Sequence, residues 1–301
     1  MKAEEGAIMT PRPAPLQGNA VAFRLSPLLW VFIGLFAAAE VVKFSRGDAL
    51  WGTIDLVLGA FIAIACVLTR RLTAGETTSE TRAEGRAFPL QVFACAVVIT
   101  ETGLEGLLPA LSLIRHGIFG AASVWFSADI ANGITNFVLY CIPLMLILVV
   151  LKVPYSKLGI GRFLRGSASS AAVWLVLPVG IFAYEFASGR VSVPVVLAVW
   201  LSNLLQNGFS EELLWRGLVF GRLNAVMRTE YALFLQAFLF GAWHLNTDIA
   251  GYHGDVLNAI ADMIASQAMF GLGMGYLRVR TGNVAIGSAF HLLFDSLQIF
   301  Q

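Results

Sequence analysis

Nine successive apolar runs leave few folds open to this chain. They lie at about Leu25 to Val42, Leu50 to Leu68, Phe88 to Ile114, Ile130 to Leu151 and Ala168 to Ala187, then Val191 to Arg216, Tyr231 to Leu245, Val256 to Leu277 and Val284 to Phe300. Runs of this length suit helices that cross about 30 Å of hydrocarbon, where every backbone polar group must be satisfied within its own segment. The expected fold is therefore an all-α polytopic transmembrane bundle of about nine spans. Composition agrees: 57% of residues are hydrophobic, only 13% are charged, and the mean hydropathy is +0.76. A net charge of +1 lacks the basic excess of a nucleic-acid partner. The bilayer is the first partner instead. Cys66, Cys95 and Cys141 sit in apolar runs without CxxC spacing and read as small buried hydrophobes.

Charge in the connections orients the bundle. With the amino terminus in the cytoplasm, sixteen of the 20 Lys and Arg fall inside, and only Lys43, Arg46, Arg115 and Arg190 fall outside. The carboxyl terminus is then outside, and the expected location is a prokaryotic plasma membrane. Residues 1–24 mix charge and proline without an apolar core, so we expect a mobile cytoplasmic tail and no cleavable signal peptide. The expected organisation is this tail, an accessory helix pair over 25–69, a flexible polar linker over 70–87, accessory helices over 88–166 and a core over 167–301.

Within the core, Ser210-Glu211-Glu212-Leu213-Leu214-Trp215-Arg216-Gly217 interrupts an apolar run with two carboxylates and a guanidinium. Ionisable groups in a bilayer cost at least a few kcal/mol unless paired or facing a wet cavity, so a functional site is the default reading. Glu212 and Arg216 are four apart and can pair on one helical face. That leaves Glu211 over. Asn203, Gln206 and Asn207 precede it as a polar stripe that would suit a water-filled cavity, or hydrogen bonds between helices. His244 ends the next apolar run. In the last, Ser288, His291, Asp295 and Gln298 share one face, so Asp295 can accept an imidazole N–H and fix which ring nitrogen is free. Glu101, Glu105, Asp55, Glu185 and Asp262 are weaker signals, better read as contacts between helices or near an interface. His116 and His253 fall in or near loops.

Two histidines and a glutamate on three helices suit either of two routes to an activated water. Glu211, His244 and His291 could ligate a zinc ion with one open position, with Asp295 behind them. Alternatively Glu211 is a metal-free general base and the histidines stabilise the oxyanion. No HExxH or GxGD motif is present, and Ser288 with His291 would lack an oxyanion hole.

Together these motifs resemble the CAAX-protease and bacteriocin-processing family of intramembrane endopeptidases, also called CPBP or Abi. Its EExxxR, FxxxH and HxxxN/D patterns read here as Glu211-Glu212 to Arg216, Phe240 to His244, and His291 to Asp295. The glycine-rich stretch Phe270 to Leu277 and the turn Arg280 to Asn283 are also similar. The likeness covers about 168–301. It implies that Glu211 activates water with help from His244, that His291 and Asp295 stabilise the oxyanion or orient the water, and that Glu212 and Arg216 order the site. It also implies a membrane-anchored protein or peptide as substrate, and no certain cofactor. This chain has Asp at 295, and an ionised carboxylate only accepts hydrogen bonds, which makes it a poor oxyanion donor. Two further readings use the same residues: a non-catalytic scaffold or bacteriocin-immunity protein of this fold, and a proton-coupled transporter.

One geometric demand follows. Glu211 lies toward the cytoplasmic end of its run and His244 toward the far end of the next. They can meet only if the glutamate helix continues to about Asn224 and the segment Asn246 to Gly254 dips inward.

Overall fold

In the computed structural model, residues 26–73, 89, 96, 109–150, 152–161 and 163–300 are described. The amino-terminal tail, most of the 70–87 linker, Cys95, Glu101 and Glu105 lie outside them. The described residues contain no strand, a short 3-10 helix at Tyr155–Leu158 and nine longer helices: α1 Pro27–Ser45, α2 Ala49–Leu72, α3 Pro109–Ser123, α4 Ala128–Val150, α5 Ser167–Ala187, α6 Val193–Val226, α7 Thr229–Gly251, α8 Val256–Thr281 and α9 Ala285–Phe300. Among these, α1, α2, α4, α5, α6 and α8 are long and apolar enough to cross a membrane. Polar residues such as Gln236, His244, Asn246 and Asp248 dilute α7, and α9 is shorter. This is an integral multi-pass membrane protein.

Two boundaries differ from the sequence reading. His116 is helical, within α3, where its Nδ1 lies 2.6 Å from the Ser112 carbonyl oxygen. The segment after His244 does not dip as a loop, because α7 stays helical through Gly251. The first half of the geometric demand holds: α6 runs to Val226 and carries Glu211 near its middle.

The core helices pack because their facing residues are aromatic or very small. Trp174 of α5 meets Phe290 of α9 edge to face at 5.4 Å, and Phe290 stacks on Phe61 of α2 at 5.9 Å. Trp174 Nε1 also donates to Thr69 Oγ1 at 2.9 Å, which satisfies its buried polar tip. Phe240, Phe270 and Trp215 extend this cluster into α6, α7 and α8. Where α6 crosses α9, a Cβ added at Gly208 would meet the Ser288 carbonyl oxygen at 3.0 Å. A small residue there lets the two backbones close up, as in other membrane bundles.

Hydrogen bonds fix the two ends of the bundle. At one end Arg280 of α8 donates through Nε to Thr73 Oγ1 at 2.8 Å, Asn283 Nδ2 donates to Gly161 O at 2.7 Å, and Leu164 N donates to Thr281 O at 2.9 Å. At the other, Tyr252 donates to Asp48 at 2.9 Å and Arg46 pairs with Asp255 at 2.5 Å. Just inside that second end, the fully buried Lys43 of α1 lies 2.5 Å from Asp55 of α2 and 2.6 Å from Asp262 of α8. Asp55 and Asp262, read singly from sequence, are thus two halves of one clamp that docks the first helix pair on the core. Glu185 pairs with Arg190 at 3.1 Å.

Candidate active site

The glutamate helix is irregular where the site lies. From Leu204 to Glu211 and from Leu213 to Val219 its bonding is of the π type, with i to i+5 closure. Such wide turns are uncommon and cluster at functional sites. Here the wide turn lets Ser210 Oγ donate to Leu205 O, five residues back, at 2.7 Å.

The three side chains singled out from sequence converge. Glu211 Oε2 lies 3.9 Å from His244 Nε2 and 3.9 Å from His291 Nε2. Both separations exceed a direct hydrogen bond, and Glu211 Oε2 is buried without a direct partner. His244 Nδ1 lies 2.9 Å from the Phe240 carbonyl oxygen. A carbonyl only accepts, so Nδ1 carries the hydrogen and a neutral ring presents its Nε2 lone pair toward Glu211.

Glu212 and Arg216 form the expected pair: Arg216 Nη1 is 2.9 Å from Glu212 Oε1 and both are fully buried. Their alignment gives an ion pair without a directed hydrogen bond. The Arg216 guanidinium lies over the Phe240 ring, 4.2 Å from its centroid, and the His244 ring packs against Phe240 at 4.6 Å. The phenylalanine of FxxxH therefore joins the ion pair to the histidine, through a cation–π contact on one side and ring packing on the other.

Glu212 also does what was expected of Asp295. Its Oε1 accepts from His291 Nδ1 at 3.0 Å, so it is Glu212 that orients the ring. Asp295 Oδ2 instead faces the working nitrogen, 3.3 Å from His291 Nε2. Asp295 also accepts a hydrogen bond from Asn207 Nδ2. This partnership joins the α6 stripe to α9, and sequence spacing alone did not pair them. Ser288 Oγ has no hydrogen-bond partner among the described residues, so no Ser288–His291 dyad forms.

We expect Glu212→Gln to destabilise the fold by about 3–5 kcal/mol, because Arg216 would stay buried with no countercharge. Chemical unfolding in mixed micelles reads this directly, and a change under about 1 kcal/mol would contradict it.

A cavity of about 820 Å³ reaches these groups, lined by amides including Asn203, Gln206, Asn207 and Asn246 together with Glu211 and His244. A second, of about 520 Å³, meets it at His291 and Asp295. The polar stripe on α6 thus lines a cavity.

As zinc ligands, Glu211, His244 and His291 have suitable chemistry, since each imidazole engages Nδ1 and turns Nε2 inward. Their spacing does not fit. Bonds of about 2.0–2.1 Å in a tetrahedron set donors about 3.4 Å apart, against 3.9 Å here. Among the described residues no group of three His, Cys, Asp or Glu closes on a metal-sized position.

Residues 193–297 match the family model described as type II CAAX prenyl endopeptidase Rce1-like. The carboxy-terminal core is therefore similar to that family over about a third of the chain. The matched segment runs from the first residue of α6 into α9 and holds Glu211, Glu212, Arg216, His244, His291 and Asp295, whereas α1 to α5 lie outside it. No curated protein and no solved structure matches the chain.

Proposed function

We propose that the Rce1-like core is an intramembrane endopeptidase that hydrolyses a peptide bond of a membrane-associated protein or peptide, with Glu211 as general base. The observation that carries this is the position of Glu211 Oε2, equidistant from two imidazole nitrogens and buried without a direct partner. Two atoms 3.9 Å apart can share one water about 2.8 Å from each.

The donors and acceptors then allot themselves. The water gives one hydrogen to Glu211 and the other to the His244 Nε2 lone pair. His291 faces carboxylate oxygens at both nitrogens, and ionised carboxylates only accept, so its ring donates from both as an imidazolium. Its Nε2–H points to Asp295, and its positive charge lies beside the water and the developing oxyanion. Glu211, Glu212 and Asp295 set against Arg216 and His291 leave one net negative charge, which is neutralised as Glu211 takes the proton. The water oxygen attacks the carbonyl carbon and the carbonyl electrons move to oxygen. Collapse then breaks the C–N bond, and Glu211 returns its proton to the leaving nitrogen.

An ionised Asp295 cannot donate to the oxyanion. Asn207 can: one amide hydrogen goes to Asp295 and the second stays free in the cavity that Asn207 lines. Removing one oxyanion donor costs about 10²–10³ in kcat. Asn207→Ala should therefore lower kcat about 10²-fold and change KM less than about threefold, as read from steady-state cleavage of a peptide substrate. A loss confined to KM would remove Asn207 from this role.

On the metal-free reading, exhaustive dialysis against a chelator leaves cleavage unchanged. Loss of activity restored by zinc would instead assign Glu211, His244 and His291 as ligands, with the metal supplying a water ionised near neutral pH.

The reading as a whole is tested by comparing membrane peptides from cells carrying the wild-type chain and Glu211→Ala. We expect at least one peptide to remain uncut in the variant. Identical peptide sets would leave a binding or transport role for the cavity.

A further inference from the structure

The cavity is lined by residues toward one end of the bundle, and the charges at the two ends are unlike. Its lining comes from the start of α4, the first half of α6, the last third of α7 and the second half of α9, through residues such as Asn132, Asn203, Asn246 and Gln298. These segments lie toward the end where Tyr252 meets Asp48 and Arg46 meets Asp255. Of the described Lys and Arg, only Lys43, Arg46, Arg115 and Arg190 belong to that end. The opposite end holds Arg70, Arg71, Lys152, Lys157, Arg165, Arg222, Arg228, Arg278 and Arg280, with Glu230 as its one described acid.

The positive-inside bias is a physical statement about which ends stay in the cytoplasm, and it is counted on Lys and Arg close to the spans. Nine against four, with Arg216 at mid-depth, sets the cationic end inside. The described helix ends agree: the end of α2, the segment after α4 and the end of α8 meet at the cationic end, tied there by the bonds from Arg280, Asn283 and Leu164.

The geometry points to a catalytic cavity that opens on the extracytoplasmic side of the membrane, so that its substrate is a membrane-attached peptide presented from that side. The mouth carries acids in excess, with Asp48, Asp129, Asp248, Asp255 and Asp262 set against four cations. It is also where the second cavity reaches Trp51, Asp248 and Tyr252. A prenylated terminus exposed to the cytoplasm would meet the cationic end, away from the residues that line the cavity. The substrate class rests on the peptidase reading; the side on which the cavity opens does not.

The test uses the full chain with Cys66, Cys95 and Cys141 replaced by Ala, and single cysteines at Asn246, Gln298 or Ser156, all exposed. Intact cells are treated with a membrane-impermeant maleimide, before and after permeabilisation. We expect Asn246→Cys and Gln298→Cys to be labelled in intact cells, and Ser156→Cys only once the membrane is opened. Labelling of Ser156→Cys in intact cells, or of the two mouth positions only after permeabilisation, overturns the inference. Because labelling needs no turnover, that failure leaves the peptidase reading standing on a cytoplasmic substrate. Equal cleavage by Glu211→Gln would remove the peptidase reading and leave the orientation.

Discussion

Glu211→Gln is expected to slow peptide cleavage by about 10³-fold, within the range that a positioned general base contributes, while leaving the unfolding midpoint unchanged. The separation of the two effects follows from the contacts. Glu211 Oε2 makes no direct hydrogen bond and stands 3.9 Å from both imidazoles, so an isosteric amide removes no folded-state hydrogen bond. On the proposed mechanism, what it removes is the basic oxygen that takes the proton. Glu212, one residue on, is the opposite case: it is fully buried and touches both Arg216 and His291. Under the proposed mechanism, adjacent glutamates divide the work, one for chemistry and one for architecture. Parallel rate and unfolding measurements on the two glutamine variants resolve this. A Glu211→Gln protein that cleaves at more than about a tenth of the wild-type rate would remove the general base from the mechanism.

A loss of stability as large as that at Glu212 is expected for Lys43→Met, about 3–5 kcal/mol. Lys43 is wholly buried, and its ammonium is shared by Asp55 and Asp262 at 2.5 and 2.6 Å. Methionine would fill a similar volume but leave two carboxylates facing each other in an apolar setting, with the unpartnered Glu40 carboxylate also buried nearby. The cost should be recoverable. Adding Asp55→Asn and Asp262→Asn removes the uncompensated charges, and replacing a whole buried cluster with neutral groups is often near neutral. Unfolding of the single and triple variants in mixed micelles measures both. If Lys43→Met alone unfolds like wild type, the clamp does not hold α1 and α2 to the core.

These contrasts also mark how far the sequence could be read. The all-helical, multi-pass character was legible because apolar runs of membrane length have few other solutions, and Glu211, His244 and His291 stood out because titratable groups are costly there. The depth conflict between Glu211 and His244 was itself informative: it called for a longer α6, and the helix does run to Val226. Register was harder. Spacing by four predicts which residues share a helical face, but the π turns from Leu204 to Val219 reset that face and leave no signature in residue type. Partners far apart in the chain were out of reach as well. Lys43 reads as a loop cation until Asp262, 219 residues away, closes on it. The pairings of Glu212 with His291 and Asn207 with Asp295 likewise depend on how α6 meets α9, which Gly208 permits and only packing fixes.

The central claim is that Glu211 makes a water attack the peptide carbonyl directly, without itself bonding to it. A single-turnover cleavage in ¹⁸O-labelled water, read by mass spectrometry of the product and of the Glu211-containing fragment, tests it most directly. One labelled oxygen should appear in the new carboxylate and none in Glu211. Label in the Glu211 side chain, or a product without label, would contradict it.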